Sequence, residues 1–254
     1  MSKKGLKTPL RYPGGKSRAC TKMGQFFPDL REYVEFREPF LGGGSVAIHV
    51  SKLYPHLKIT VNDLYEPLFN FWVNLQMFGD ELTKDLKNLK IAHCNQDSAR
   101  CLFAEMKDVI NNSKYTNLER AVAFYVVNKC SFSGLTESSS FSAQASDSNF
   151  SMRGIEKLPE YSEIISHWHI NSYSYEYCFR TDIHDGLFMY MDPPYDIKDN
   201  LYGKKGAMHK SFDHDKFAAD CDEHNHINML ISYNSDQLVK DRFKNWKASE
   251  FKLT

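Results

Sequence analysis

Apolar and polar positions alternate from Lys58 to Asn62, with Ile59 and Val61 on one side, and a helical spacing follows at Leu64, Leu68, Phe71, Trp72 and Leu75. This pattern predicts a strand ended by Asn62-Asp63 and then a helix. The segment "REYVEFREPFLGGGSVAIHV" has the same logic: an extended stretch to Glu38-Pro39-Phe40, a glycine-rich turn, and a helix from Ser45. Leu187 to Met191, "LFMYM", is an unbroken apolar run of strand length, read as a buried strand that the prolines at 193 and 194 terminate. "INMLISYNS" reads as another buried strand. Residues 80–127 read as mostly helical, 155–168 as helical again, "HINSYSYEYCF" as a strand edge and turn, and a helix begins near Asp213. Strands alternating with helices predict an α/β class with a mostly parallel sheet.

Three clusters then fall at strand exits, where parallel sheets place their ligands: Glu38 to Ser45, Asn62-Asp63, and Asp192 to Tyr195. Between them lies a different composition. Residues 128 to 153, "NKCSFSGLTESSSFSAQASDSNFSMR", are rich in Ser and poor in aliphatics, and the stretch is too long for an ordinary connection. With so little to form a core of its own, it is expected to order only on binding a partner.

Composition changes this picture little. The formal net charge of zero gives no global sign of a polyanionic partner, although a local basic face depends only on where charges sit. The basic N-terminus reads equally well as a solvated face. Six cysteines form no C-x-x-C pair and no signal peptide is visible, which predicts reduced thiols in a cytoplasmic protein. No apolar run is long enough to span a membrane.

"EPFLGGGS" permits close approach of a ligand to the backbone and opens a helix N-terminus, though alone it also fits a plain turn. It is neither G-x-G-x-x-G nor a P-loop. Asp63, about twenty residues on, stands where an acid accepts ribose hydroxyls; alone it equally fits a helix cap. Together they suggest a nucleoside-bearing ligand without a pyrophosphate, which S-adenosylmethionine fits. "RYPGGKS", with Tyr12 and Lys16, reads by itself as a surface turn.

Asp192-Pro193-Pro194-Tyr195 is the most specific signal. The exocyclic amine of a base is a poor nucleophile, because its lone pair is delocalised into the ring. Asp192 can accept one amine hydrogen and the Pro193 carbonyl the other, with two rigid residues holding that carbonyl in place. Tyr195 offers a ring for an extruded base, where stacking contributes roughly 1–3 kcal/mol. The alternative is a proline-rich strand exit capped by an acid. His209, Asp213, His214, Asp215, His224 and His226 crowd one segment, but adjacency is not ligand geometry, so no metal site is expected and Asp213 reads as a helix N-cap.

The ordered set of motifs resembles the Dam-like class of DNA adenine-N6 methyltransferases from residue 8 to about 235. "RYPGGKS" resembles their N-terminal aromatic-x-Gly-Gly-Lys motif, "EPFLGGGSV" their glycine motif, "VND" their second-strand exit, "NKCSFSGL" their central segment, "DPPY" their catalytic tetrapeptide, and "LISYNS" a late strand exit. The resemblance implies a Rossmann-like methyltransferase sheet with helices on both faces and an inserted, mostly helical DNA-recognition lobe. It divides the chain into a catalytic domain, residues 1–75 and 169–254, and a lobe, residues 76–168. It implies S-adenosylmethionine as cofactor, held by Tyr12, Gly15, Lys16, Glu38, Pro39, Phe40, Gly42, Gly44, Ser45, Asp63 and Asp192. It places catalysis at Asp192, Pro193, Pro194 and Tyr195, and DNA contact at Lys129, Phe132, Ser133, Gly134, Leu135 and Arg153. The implied reaction is site-specific methylation of a flipped adenine in double-stranded DNA, in a bacterial, archaeal or phage setting, with a restriction endonuclease as a separately acting companion.

Lys129 and Ser133 depart from the Arg and Asn common in the central segment. The family continues into a closing hairpin of which "FKLT" is only the start, so an abbreviated or truncated C-terminus is expected. Two other functions stay open: a catalytically impaired DNA-binding relative or fragment, and methylation of another amine, cytosine N4 or RNA adenine.

Overall fold

The structure, a computed structural model, describes residues 7–12, 16, 20–134, 139–195 and 212–250. Among them, five parallel strands form one sheet: β1 (Glu35–Glu38), β2 (Lys58–Asn62), β3 (His169–Asn171), β4 (Leu187–Met191) and β5 (Asn228–Ile231), in the order β3-β2-β1-β4-β5. The chain starts at the centre, moves outward through β2 and β3, and crosses back to lay β4 against the other side of β1. Parallel neighbours require long crossovers, and helices supply them.

β4 is buried along its whole length and divides its side chains by parity. Phe188 and Tyr190 enter the larger apolar core; Leu187, Met189 and Met191 enter the smaller one on the opposite face. A strand covered on both faces has no polar side to show, hence the unbroken apolar run. β5 departs from the expectation of a buried strand: Asn228 is exposed and the next three residues are half-buried. It pairs only with β4 among the described residues, and so lies at the sheet edge.

β1 is central and fully buried, yet it reads Glu-Phe-Arg-Glu. Phe36 enters the larger core. Glu35 and Arg37 point to the other face and pair there at 2.7 Å, and Arg37 also donates to the carbonyls of Cys178 (2.8 Å) and Thr181 (2.6 Å). Lys58 reaches Glu35 at 3.1 Å. Burial opposes the charge on Glu35, but the Arg37 bond outweighs it and its carboxyl stays below the ordinary range.

Twelve helices of four or more residues flank the sheet among the described residues. α1 (Cys20–Met23), α2 (Ser45–Leu53) and α3 (Glu66–Met77) pack on the larger core. In α3 the predicted positions Leu68, Phe71, Trp72 and Leu75 are fully buried, while Leu64 precedes the helix and is exposed. Between β2 and β3 the chain continues through α4 (Gly79–Ala92), α5 (Gln96–Val109), α6 (Asn117–Cys130), α7 (Ala143–Ser148), α8 (Met152–Ile155) and α9 (Leu158–Ile165). Capping boxes start α5 at Asn95/Ser98 and α6 at Thr116/Glu119, each satisfying orphan amides at both ends of the box. Leu86, Leu102, Phe124 and Phe150 share one apolar cluster with Phe36 and Phe188 of the sheet, and residue 76 lies inside α3. On the smaller core sit α10 (Glu176–Arg180) and α11 (His214–Glu223); α12 (Gln237–Arg242) follows β5. Asp213 caps α11 as predicted, accepting from the Lys216 amide at 2.9 Å.

Among the described residues of the serine-rich segment, two short helices form, α7 and α8. Ser142 and Ser151 cap α7 and α8, accepting from the amides of Ala145 and Gly154, each at 3.2 Å. Phe150 and Ile155 are fully buried. Serine here supplies the backbone's missing partners at helix starts, and two apolar anchors suffice to dock the turns. No described helix is long and apolar enough to cross a membrane. Residues 251–254, to which the expectation about the C-terminus refers, lie outside the described residues.

Candidate active site

The three strand-exit clusters meet in one cleft, at the point where the sheet order reverses between β1 and β4. Tyr12, Lys16, Glu38, Pro39, Phe40, Gly42, Gly44, Ser45, Asp63 and Asp192 all line it, as do Pro193, Pro194 and Tyr195. Gly15 lies outside the described residues.

The turn after β1 is shaped by the chain itself. Gly42 and Gly44 have φ of 49° and 66°, the left-handed region that side chains disfavour. A Cβ at Gly42 would lie 2.8 Å from the Tyr12 ring, and one at Gly44 2.8 Å from Trp72. The indole of Trp72 donates to the Gly42 carbonyl at 3.1 Å. Glycine is needed here because two aromatic rings close on the turn from within.

Asn62 and Asp63 tie the strand exits together. The Asn62 amide donates to the carbonyls of Pro39 (3.1 Å) and Tyr173 (2.9 Å), joining the exits of β1, β2 and β3. Asp63 accepts from the amides of Gly42 (2.8 Å) and Tyr65 (3.0 Å), one at each carboxylate oxygen. Tyr65, not Asp63, occupies the N-cap of α3. Burial lifts the Asp63 carboxyl to about 6 against the pull of those amides. Each oxygen keeps a lone pair for a further donor.

Glu38, at the end of β1, is buried, and its Oε2 has no hydrogen-bond partner among the described residues. Burial first, and the charge of Asp192 second, hold its carboxyl well above the ordinary range. A buried acceptor left open at a cleft wall is an uncommon feature that calls for a ligand.

Asp192 follows β4 into the same cleft as Glu38. Lys16 is 5% exposed, and its Nζ meets both Asp192 oxygens, at 2.7 and 2.5 Å. Lys16 is therefore not a surface residue. Burial works against the ammonium, but Asp192 outweighs it and the Lys16 pKa is raised. The ammonium also sits 4.8 Å from the centroid of the Tyr195 ring. Ser232, just past β5, donates to Asp192 Oδ1 at 2.7 Å and meets the Tyr190 hydroxyl at 2.9 Å. Reasoning from the sequence misses Ser232. Its only signal there is a polar residue following an apolar run, and its value depends on β5 lying beside β4.

The residues expected to face DNA divide. Phe132 is 65% exposed and Arg153 is exposed. Lys129 is instead buried in α6, its ammonium 5.2 Å from the Tyr125 ring centroid and its pKa lowered to about 8, by burial and then by Arg11. Gly134 has φ of 76° and closes on the Arg11 backbone. Asn128 staples the two segments, accepting from the Arg11 amide (2.9 Å) and donating to the carbonyls of Arg11 (2.6 Å) and Gly134 (3.0 Å). Leu135 and the side chain of Ser133 lie outside the described residues. Among the described residues, no group of three or more His, Cys, Asp or Glu side chains is arranged to hold a metal.

Against known proteins, a family model described as D12 class N6 adenine-specific DNA methyltransferase matches residues 12–253. The chain is similar to Type II methyltransferase M.MjaIII of Methanocaldococcus jannaschii, 24% identical over 137 residues, 51% of this chain and 47% of that protein. It is similar also to the DNA N-6-adenine-methyltransferase of Escherichia phage P1, 25% identical over 126 residues, 50% of this chain and 15% of that protein. The match thus spans about half the length of the first relative and a small part of the second.

Proposed function

Because the chain belongs to the D12 class N6 adenine-specific DNA methyltransferases, we propose that it methylates the exocyclic amine of an adenine flipped out of duplex DNA. Methyltransferases of this class depend on S-adenosylmethionine, which supplies an electrophilic methyl group on a positively charged sulfur. The donor set of the cleft fits it. Asp63 retains acceptor capacity for a diol, Glu38 presents an open acceptor to a cation, and Tyr12 and Phe40 supply apolar ring surface. The observation that carries the reading is Asp192-Pro193-Pro194-Tyr195 in the same cleft as the glycine turn and Asp63.

In this reading Asp192 accepts one hydrogen of the target amine and the Pro193 carbonyl the other, drawing the lone pair out of conjugation. Ser232 fixes one Asp192 oxygen, so the amine takes the place of Lys16 at the other. Until then Lys16 occupies that carboxylate as its ion-pair partner. Tyr195 stacks on the extruded base.

The helical segment 76–168 is proposed as the lobe that reads DNA, with residues 1–75 and 169–254 as the catalytic domain. The exposed Phe132 is proposed to fill the gap left by the flipped base, with Arg153 on the phosphates. A separately acting restriction endonuclease sharing the target sequence is the proposed companion, on the strength of the type II name of the first relative. Such work places the protein with the DNA, in the cytoplasm.

The test is to incubate the protein with methyl-labelled S-adenosylmethionine and duplex DNA, then digest and separate the nucleosides. Label in N6-methyladenine is expected. Label in N4-methylcytosine, label only with RNA, or tight DNA binding without label would each replace this reading.

Two variants probe the halves of the site. Asp63→Ala should weaken binding of the cofactor or its demethylated product by about 1.5–3 kcal/mol, the value of a hydrogen bond to a charged acceptor, with DNA affinity little changed. Calorimetry checks this, and an unchanged dissociation constant returns Asp63 to a purely structural tie. Phe132→Ala should leave cofactor binding intact and weaken base extrusion by up to a few kcal/mol. The readout is the fluorescence of 2-aminopurine at the target position, which should fall toward that of stacked duplex.

A further inference from the structure

Beyond the tetrapeptide itself, the segment leaving β5 is arranged around it. The β4–β5 register pairs Met191 with Ile231, and the Ser232 amide extends the ladder to the Met191 carbonyl at 2.8 Å. Ser232 therefore comes alongside Asp192, and Tyr233 alongside the residues that follow. The Tyr233 ring stacks on Tyr195, with centroids 6.1 Å apart and planes 25° from parallel. Its hydroxyl meets Nδ1 of His214, the first residue of α11, at 2.5 Å. Phe243 and Phe217 pack around it at 5.8 and 6.4 Å.

The physical problem this solves is local. Tyr195 follows two rigid prolines, but its own side-chain torsions are not restrained by them. A ring free to rotate must be ordered each time a base docks, which slows the step that needs it. A second ring held against it removes that freedom in advance. The second ring must itself be immobile, and Tyr233 is braced at its rim by aromatic packing and at its tip by His214. A leucine would fill the space but would offer neither a flat face nor a tip to anchor.

We propose that Tyr233, braced by His214, is a positioning residue for methyl transfer, holding the Tyr195 ring in the orientation that receives the extruded base. This rests on the reading that Tyr195 meets that base. The test compares Tyr233→Leu, Tyr233→Phe, His214→Asn and the double variant His214→Asn/Tyr233→Phe with the parent protein. Measured are kcat and KM for duplex DNA, the cofactor dissociation constant, and the fluorescence of 2-aminopurine at the target position. Tyr233→Leu should lower kcat roughly tenfold or more and brighten the flipped 2-aminopurine, as its stacking partner loosens, with cofactor affinity changed less than about twofold. Tyr233→Phe should recover most of the loss, because the ring remains. His214→Asn should slow turnover alone and have a smaller effect in the Tyr233→Phe background, where its bond to the hydroxyl is already lost and only its ring packing on residue 233 remains.

Unchanged kcat and fluorescence in Tyr233→Leu, or equal effects of His214→Asn in both backgrounds, would overturn the proposal. If Tyr233→Leu does not fold, the His214→Asn and Tyr233→Phe cycle decides alone. Tyr195→Ala separates the two levels. If it leaves turnover and fluorescence intact, the assignment of Tyr195 fails; if it is impaired while the Tyr233 variants are not, only the positioning role fails.

Discussion

Asp192→Ala is expected to abolish methyl transfer and to lower the stability of the protein by a separate route. The first effect follows from losing the acceptor that reshapes the amine. Removing a preorganised polar group of this kind costs about 2.7–4 kcal/mol of barrier, a factor of roughly 10²–10³ in kcat. The second follows from Lys16, whose buried ammonium would lose its counter-charge. Breaking a buried pair from one side costs about 3–5 kcal/mol, and less here because Asp192 is partly open to water. The effects separate in the double variant Asp192→Ala/Lys16→Met, which should regain thermal stability but not turnover. DNA affinity should survive throughout. Near-parental incorporation of labelled methyl by Asp192→Ala would remove it from catalysis.

Glu38→Gln is expected to bind the cofactor ten- to a hundredfold more weakly near pH 8, and to abolish most of the pH dependence of that binding. Glu38 faces Asp63 from the β2 exit, Asp192 from the β4 exit, Lys16 from the N-terminal segment and Cys20 from α1. Lys16 is engaged by Asp192, so the cleft holds more carboxylates than cations. Burial and Asp192 therefore keep Glu38 protonated well above the ordinary carboxyl range. A positively charged ligand favours the ionised form. Affinity should rise with pH by up to about tenfold per unit while Glu38 titrates, with a proton released on binding. Asp63, at about 6, contributes the lower part of the same rise.

The stability of the unliganded protein runs the other way. A carboxyl whose folded pKa is raised holds its proton longer in the native state than in the unfolded chain. Stability therefore falls as pH climbs from the unfolded value toward the folded one. Glutamine mimics the protonated acid, so Glu38→Gln should be as stable as the parent below about pH 4, where the unfolded carboxyl is also protonated, and progressively more stable than the parent as pH rises above it. Titration calorimetry in two buffers of different ionisation enthalpy measures the released proton. A parental affinity that is flat between about pH 5.5 and 8.5 would dismiss the account.

Much of this arrangement is legible in the sequence. The exits of β2 and β4 are readable because alternating or unbroken apolar residues end at polar ones, that of β1 because a glycine-rich turn follows it, and the buried face of α3 because helical spacing is local. What stays hidden depends on distant partners. Lys16 reads as a surface residue because the carboxylate that buries it lies 176 positions away. Lys129 reads as basic and available when taken with the serine-rich stretch after it, although the apolar run from Ala121 to Val127 marks α6 as a helix buried all round, and Lys129 lies on its last turn. The serines of residues 139–153 read alike in the sequence, yet two of them, Ser142 and Ser151, are caps, a role that shows only once helix starts are known. Ser232 and Tyr233 matter because β5 lies beside β4, and pairing order is not written in either strand.

The buried pair in β1 has a consequence for how this sequence can change over generations. Replacing Arg37 alone leaves Glu35 to the more exposed Lys58 and His184 and releases the carbonyls of Cys178 and Thr181, at a cost of up to about 3–5 kcal/mol, a large part of the margin of a typical fold. Replacing Glu35 alone leaves Arg37 buried without its counter-charge. Replacing both together by apolar residues of similar volume removes the two charges at once and should cost less than either single change, with the carbonyls released by Arg37 as the main remaining penalty. The two positions are thus separated from an apolar alternative by less stable intermediates that selection removes, so a lineage that acquired the pair tends to keep it whether or not it still confers an advantage.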